Sequence, residues 1–500
     1  MSLIAKLNEL RQYGGAIRTH GLADAEVARL AAKYPELGEA VDEAHALHMA
    51  LRDEMPELLK LDETNQLQRV QGDFINFYPN DAVNPYVVLA ARGPWVVTLK
   101  GAVIHDSGGY GMLGFGHTPK AILAALARPQ VMANVMTPSV SQLRFTQALA
   151  REIGHTRGGS PFKHFLCLNS GSESVSLACR IADVNAKLMT EPGARHAGRM
   201  IKRLAVKGAF HGRTERPAVY SDSSRKAYVQ HLASFRDERS LLTVDPYNVD
   251  QLHQIFADAD KNGWFIEAMF LEPVMGEGDP GRAATPEFYV AARELTRAHG
   301  SLFLVDSIQA GLRAHGVLSI VDYPGFEKLD PPDMETYSKA INGGQYPLSV
   351  LAVDDKAGSL YKKGIYGNTM TANPRALETA CAVLKAFTPE LRANIRARGA
   401  EFLDKFNKLA RELPGLITKV QGTGLLFSCE LAPQFKCYGA NSTEEWMREH
   451  GVGVIHGGTN SLRFTPTFGI TSAEVDLIIE GIKQALLQGP RIAADASKAA

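Results

Sequence analysis

The chain is 500 residues long, with 54 basic and 54 acidic side chains and a formal net charge of zero. That balance excludes a protein whose main work is coating nucleic acid or an anionic membrane. Hydrophobic residues at 45% and charged residues at 22% describe a globular chain with a large core, not a disordered one. The five cysteines (Cys167, Cys179, Cys381, Cys429 and Cys437) are odd in number and scattered, with no CxxC pair. They predict no disulfide framework, no cysteine-built metal site and a reducing compartment. The opening MSLIAKLNELRQYGG has no apolar stretch fit for a signal peptide, and no run of 18 apolar residues follows. A cytoplasmic protein without a membrane or nucleic-acid partner is the expectation.

In chain order, residues 1–75 are rich in Ala, Leu, Glu, Lys and Arg. Residues 23–59 carry helical apolar spacing broken at Pro35 and Pro56, which predicts a helical arm. Such an arm is either a solvated cap over the main body or a clasp on a partner. Short β-like runs at 86–90 and 95–99 precede the glycine-rich Gly108-Gly109-Tyr110-Gly111. Four apolar runs follow, at 165–168, 204–206, 268–271 and 302–305, with helical segments between them. That alternation predicts an α/β fold with a parallel sheet covered on both faces. Residues 269–306 read as one βαβ unit with its helix at 290–299. A further helix starts at Asn373-Pro374 and runs to 385. The last stretch mixes helices at 391–413 and 472–487 with strands at 425–430 and 461–464. The tail 493–500 reads as frayed.

Three motifs carry chemistry. Asn169-Ser170-Gly171-Ser172-Glu173 lies between a strand and a helix at 175–186. Small residues there expose backbone N–H groups at the positive end of a helix dipole, a phosphate cradle. A capped helix start with Glu173 closing the box is the plainer reading. Asp306, in Val305-Asp306-Ser307-Ile308-Gln309, ends an apolar strand, where ligands of open α/β sheets bind. An ordinary strand-end cap explains it equally. Lys339, in Tyr337-Ser338-Lys339-Ala340 ahead of Gly343-Gly344, is poorly placed for a solvated surface. It is either a nucleophile with its pKa lowered by burial or a snorkelling lysine.

One cofactor makes joint sense of the three. Pyridoxal phosphate needs a phosphate cradle, a carboxylate against its ring nitrogen and a lysine for a Schiff base. At these residues the sequence resembles the class III, fold-type-I aminotransferases, which include the ornithine, acetylornithine, GABA, lysine-ε and ω-amine transaminases. The resemblance covers about residues 80–487. It is carried also by Phe210-His211-Gly212-Arg213-Thr214, by Glu272-Pro273 with Gly276-Glu277-Gly278, and by Tyr346-Pro347-Leu348-Ser349. Thr369 with Asn373-Pro374 and Ser461-Leu462-Arg463-Phe464 complete it.

The resemblance implies a large domain with a mostly parallel seven-stranded sheet and a smaller α+β domain built from both chain ends. The division it implies is 1–75 arm, 76–130 first part of the small domain, 131–375 large cofactor domain, 376–490 second part of the small domain and 491–500 tail. It implies that Lys339 forms the Schiff base and that Asp306 keeps the ring nitrogen protonated. Gln309 donates to the phenolic oxygen, Phe210 stacks on the ring, and His211 joins the cofactor contacts. Ser170, Gly171 and Ser172 hold the phosphate, with Thr369 reaching it from a second subunit of a homodimer or higher homo-oligomer. Tyr110, Glu272 and Arg463 become substrate contacts, with Glu272 covering Arg463 when a terminal amine reacts. No metal is implied.

The implied activity is a ping-pong transfer from an amino donor to a 2-oxo acid. An aminomutase or racemase of the same fold, and a non-catalytic fold relative, are the alternatives. The family's Asp-Glu-Val-Gln-Thr-Gly reads Asp306-Ser307-Ile308-Gln309-Ala310-Gly311 here. The cofactor positions survive, and the network around them changes.

Overall fold

In a computed structural model of the chain, residues 1–108, 111–131 and 135–492 are described. The chain divides into two compact units. The larger comprises residues 121–396 and 422–426. Its centre is a seven-stranded sheet: β1 His164–Leu168, β2 Met200–Val206, β3 Leu241–Val244, β4 Trp264–Leu271, β5 Leu302–Asp306, β6 Met334–Tyr337 and β7 Ser349–Val353. The spatial order is β1-β7-β6-β5-β4-β2-β3. Only β7 runs against its neighbours, pairing antiparallel with β1 and β6. The remaining pairs are parallel, so six strands point their carboxyl ends the same way.

The expected βαβ unit is β4, the helix Pro286–His299 and β5. Local chemistry sets its limits. Thr285 accepts from the Phe288 N–H, Pro286 takes the first turn, and Gly300 closes the helix at φ +83°. Residues Leu302 to Val305 are fully buried, as a strand covered on both faces requires. The helix Gly171–Thr190 lays Val175, Ala178, Cys179, Ile181 and Ala182 on the sheet.

The smaller unit comprises residues 1–120, 397–421 and 427–500. One sheet joins Val88–Arg92, Trp95–Thr98 and Val103–Asp106 to the short strand Val452–Gly453. The helices Leu3–Arg11, Asp24–Ala31 and Pro35–Glu54 bury Leu7, Leu10, Val27, Leu30, Leu37 and Val41 against Trp95, Val97 and Val103. The first three helices therefore pack into this unit's core. Pro35 and Pro56 stand at the first positions of their helices, where the missing N–H costs nothing. A second sheet is built from Leu426–Leu431, Ser461–Phe464 and Ile455–Gly457, with Ile417–Thr423 at its edge.

The division differs from the expected one at two places. The larger unit starts at 121 and not 131. It also keeps the helix Pro374–Ala386, so the chain leaves it near 396 and not 376. That helix is tied to the helix Val140–Glu152, where Ser141 Oγ donates to Glu378 at 2.7 Å. The expected tail at 493–500 lies outside the described residues.

Candidate active site

The larger unit carries most of the predicted cofactor residues just beyond the carboxyl ends of its parallel strands. At the end of β1, the helix Gly171–Thr190 begins with a complete capping box. Glu173 Oε2 accepts from the N–H groups of Asn169 and Ser170, at 2.9 and 3.0 Å. Both readings of this motif hold together. The box satisfies two N–H groups and leaves those of Gly171 and Ser172 without a partner among the described residues. A Cβ on Gly171 would come within 2.8 Å of Ile308 Cδ1, so only glycine keeps the backbone open there. Open donors at the start of a 20-residue helix, with the Ser170 and Ser172 hydroxyls beside them, fit a phosphate.

Asp306 ends β5 and is 4% exposed. Its Oδ1 accepts from Thr336 Oγ1 at 2.9 Å and from the Ile308 N–H at 3.2 Å. Its Oδ2 lies 2.9 Å from His211 Nδ1. His211 is itself buried, packs edge-on against Phe270, and its backbone N–H is fixed by Ser221 Oγ at 2.9 Å. Among the described residues, the buried His211 Nε2 has no hydrogen-bond partner. Nδ1 is thus the ring nitrogen placed to donate to Asp306.

Phe210 precedes this histidine and carries the Arg213 guanidinium 5.1 Å from its ring centre. Its N–H donates to Glu272 Oε2 at 3.0 Å, while Glu272 Oε1 accepts from the Gly276 N–H at 3.0 Å. Gln309 donates to Glu277 Oε1 at 3.3 Å and packs over Gly276, where any Cβ would overlap the Gln309 amide. The Gly276-Glu277-Gly278 stretch thus makes room for Gln309.

Lys339 follows β6 after Ser338, with φ +49°. A non-glycine residue in this left-handed region carries about 1 kcal/mol or more of strain, which persists where surroundings demand it. Here Ser338 Oγ and Asn342 Nδ2 both donate to the Leu348 carbonyl, at 2.8 and 3.0 Å. Lys339 itself is half-buried.

Thr369 is exposed, beside Asn368, whose amide donates to Glu173 Oε1 at 3.1 Å. Arg463 is 1% exposed, on a strand of the smaller unit paired with Ser428 and Ile455. Tyr110 lies outside the described residues.

Thr336, Glu335 and Ser221 were not singled out by the sequence. Thr336 and Glu335 sit in a short, fully buried strand, Met334–Tyr337, and carry no signal of a site until β6 is placed beside β5. The one available signal was a glutamate inside a strand-like run.

Burial pushes the Glu335 carboxyl up to about 7, although hydrogen bonds from Ser307, Ser319 and Ile320 draw it back. Glu272 is pushed up to about 7 as well, by burial first, with Asp306 adding to it and His211 opposing. A carboxyl raised in the folded state binds more protons folded than unfolded between its ordinary value and 7. Its stabilisation is complete below that window and is lost as pH rises through it. Each group carries at most on the order of 3 kcal/mol of this dependence. Thermal unfolding from pH 5 to 8 should therefore show a flatter pH dependence in Glu335→Gln than in the native chain. Parallel curves would mean that Glu335 does not titrate there.

Among the described residues no group of three His, Cys, Asp or Glu side chains could hold a metal ion, and no helix is long and apolar enough to cross a membrane. Residues 77–486 match the family described as aminotransferase class-III. Among solved structures, the ornithine aminotransferase of Toxoplasma gondii ME49 is 23% identical, covers 87% of this chain and 98% of its own, and superposes with a TM-score of 0.71. A Toxoplasma gondii ornithine aminotransferase crystallised with oxidised glutathione, with PLP at partial occupancy in its active site, is 22% identical over 90% and 99%, TM-score 0.72. The acetylornithine aminotransferase of Elizabethkingia anophelis is 22% identical over 85% and 99%, TM-score 0.68. At these identities the likeness shows the fold. The family match spans both units and every strand end of the site, and the chain belongs to the class-III aminotransferases, which are pyridoxal-phosphate-dependent transaminases.

Proposed function

We propose that this transaminase moves an amino group from an amino acid or a terminal amine to a 2-oxo acid in two half-reactions of a ping-pong cycle. The observation that carries the reading is that Lys339, Asp306 with His211, and the open Gly171 and Ser172 N–H groups all follow carboxyl ends of co-directed strands of one sheet. Bound pyridoxal phosphate supplies an aldehyde that takes the amino group and a ring that accepts electron density from the substrate carbon. Lys339 Nζ tethers the cofactor and moves the proton between the carbons on either side of the transferred nitrogen. Asp306 holds a proton on the ring nitrogen, and His211 and Thr336 hold Asp306. Ser170, Gly171 and Ser172 bind the phosphate, Phe210 lies against the ring, and Gln309 donates to its phenolic oxygen. Thr369, exposed on its turn, belongs to a second copy's phosphate site, so the working unit is a homodimer.

Arg463 takes the carboxylate of the 2-oxo acid in a two-point hydrogen bond. The resemblance assigns Glu272 to cover that guanidinium when the donor presents a distal amine. The two N–H groups on Glu272 leave lone pairs on both oxygens for this. Tyr110 completes the substrate contacts. Arg463→Ala should slow the oxo-acid half-reaction by at least about ten- to a hundredfold, the worth of a single charged hydrogen bond of the two it makes. Glu272→Ala should raise the use of α-amino donors relative to terminal amines. Single-turnover rates of each half-reaction check both, and an equal fall of both half-reactions in both variants sinks the switch. A panel of ornithine, lysine, GABA, β-alanine and simple ω-amines, tried with pyruvate and 2-oxoglutarate, tests the function itself. Some donor must bleach the cofactor band and release its oxo product, or the reading is wrong.

A further inference from the structure

We propose that Glu335 is a positioning residue for the reaction, holding from the far face of the sheet the strand end that carries Asp306. The inference rests on the reading of Asp306 as the partner of the cofactor's ring nitrogen. Glu335 is fully buried in the middle of the seven-stranded sheet, on β6, where an unpaired carboxylate would cost several kcal/mol. It persists because donors are aimed at it. Its Oε1 accepts from Ser307 Oγ at 2.5 Å and from the Ile320 N–H at 3.0 Å. Its Oε2 accepts from Ser319 Oγ at 2.5 Å.

The pleat explains what this arrangement does. Successive side chains of a strand face opposite ways. Thr336 shares a face with Asp306, its register partner on β5, and donates to it at 2.9 Å. Glu335 points the other way and takes hold of Ser307, the residue after Asp306. Ser307 is gripped twice, since its N–H also donates to the Thr336 carbonyl at 3.0 Å. The next N–H, of Ile308, turns back to Asp306 Oδ1 at 3.2 Å. The backbone that aims Asp306 is thus pinned on one face by Thr336 and His211 and on the other by Glu335.

The second grip of Glu335 reaches a rigid frame. Ser319 and Ile320 open the short helix Ile320–Asp322, and Asp322 is bonded to the N–H groups of Gly154 and Thr156 at 2.6 and 2.9 Å. Tyr289, Tyr323 and Tyr337 are the further ionisable groups that interact with Glu335. At position 307 the family pattern has glutamate and this chain has serine. Its hydroxyl reaches a carboxylate on the neighbouring strand, so a carboxylate is kept near the same backbone from a different position.

The test uses holoenzyme with Glu335→Gln, which keeps the shape and removes the charge. A loosened first-rank group costs up to about a hundredfold per ångström of misplacement. We expect kcat to fall about ten- to a hundredfold, with KM for donor and acceptor changing less than about twofold. The pH midpoint of the bound cofactor's absorption band should also move, which a purely structural role would not produce. Unchanged kcat and an unmoved band overturn the proposal, even if the melting temperature falls. Should Glu335→Gln fail to fold, Ser307→Ala takes its place, because it cuts the link and leaves the carboxylate with Ser319 and Ile320. The same two silent readouts overturn the proposal there. A near-normal Asp306→Asn would sink the reading beneath it, whereas an inactive Asp306→Asn beside a silent Glu335→Gln sinks this inference alone.

Discussion

Replacing Lys339 by alanine is expected to cut turnover by about a thousandfold or more while leaving the fold intact. Proton transfer by a positioned side chain is worth about 10²- to 10⁴-fold, and tethering of the cofactor is lost in addition. The fold should survive for a local reason. The backbone of Lys339, at φ +49°, is flanked by the Ser338 and Asn342 bonds to the Leu348 carbonyl, which alanine at 339 leaves in place. Alanine accepts that conformation at a cost similar to lysine's. Melting curves should therefore differ by only a degree or two once cofactor binding is allowed for. Borohydride reduction of the native holoenzyme, followed by peptide mapping, should place the pyridoxyl mass on Lys339. The mass on any other lysine ends the assignment.

Asp306→Asn is the second large effect. The substitution keeps the size of the side chain, and its carbonyl oxygen can still accept from His211 Nδ1 or Thr336 Oγ1. The negative charge is removed together with one acceptor, because asparagine has a single carbonyl oxygen where both Asp306 oxygens are used. A charge placed in advance in a water-poor site is worth about 10²- to 10³-fold in rate, and the site here is nearly sealed, with Asp306 4% exposed. Turnover should fall by at least that factor. Cofactor should also bind more weakly, as followed by its absorbance on dilution. Turnover within a few fold of the native enzyme would make Asp306 a strand-end cap, the plainer reading of its position.

Much of the larger unit was legible because its signals are local. Thr285-Pro286 and Gly300 start and stop a helix through chemistry contained in a few residues. The apolar run at 302–305 announces a strand covered on both faces. Asn169–Glu173 is a capping box by spacing alone, and the structure adds that the box leaves two N–H groups open. The helical spacing in residues 1–75 was legible too, but an amphipathic helix shows that it has a partner surface, not which one. That surface is the strand pair carrying Trp95, Val97 and Val103.

The sequence by itself determined the element types, the order of the motifs and the family, since periodicity, caps and spaced motifs are written over short stretches of chain. Only the tertiary structure decided that β7 enters antiparallel between β1 and β6, because β7 and β6 join β1 across a long separation in sequence. It alone decided that β6 lies beside β5. That pairing sets Thr336 against Asp306 on one face and Glu335 against Ser307 on the other. A strand's alternation says which side chains share a face, and the neighbour that faces them is chosen by long-range pairing that no local signal encodes.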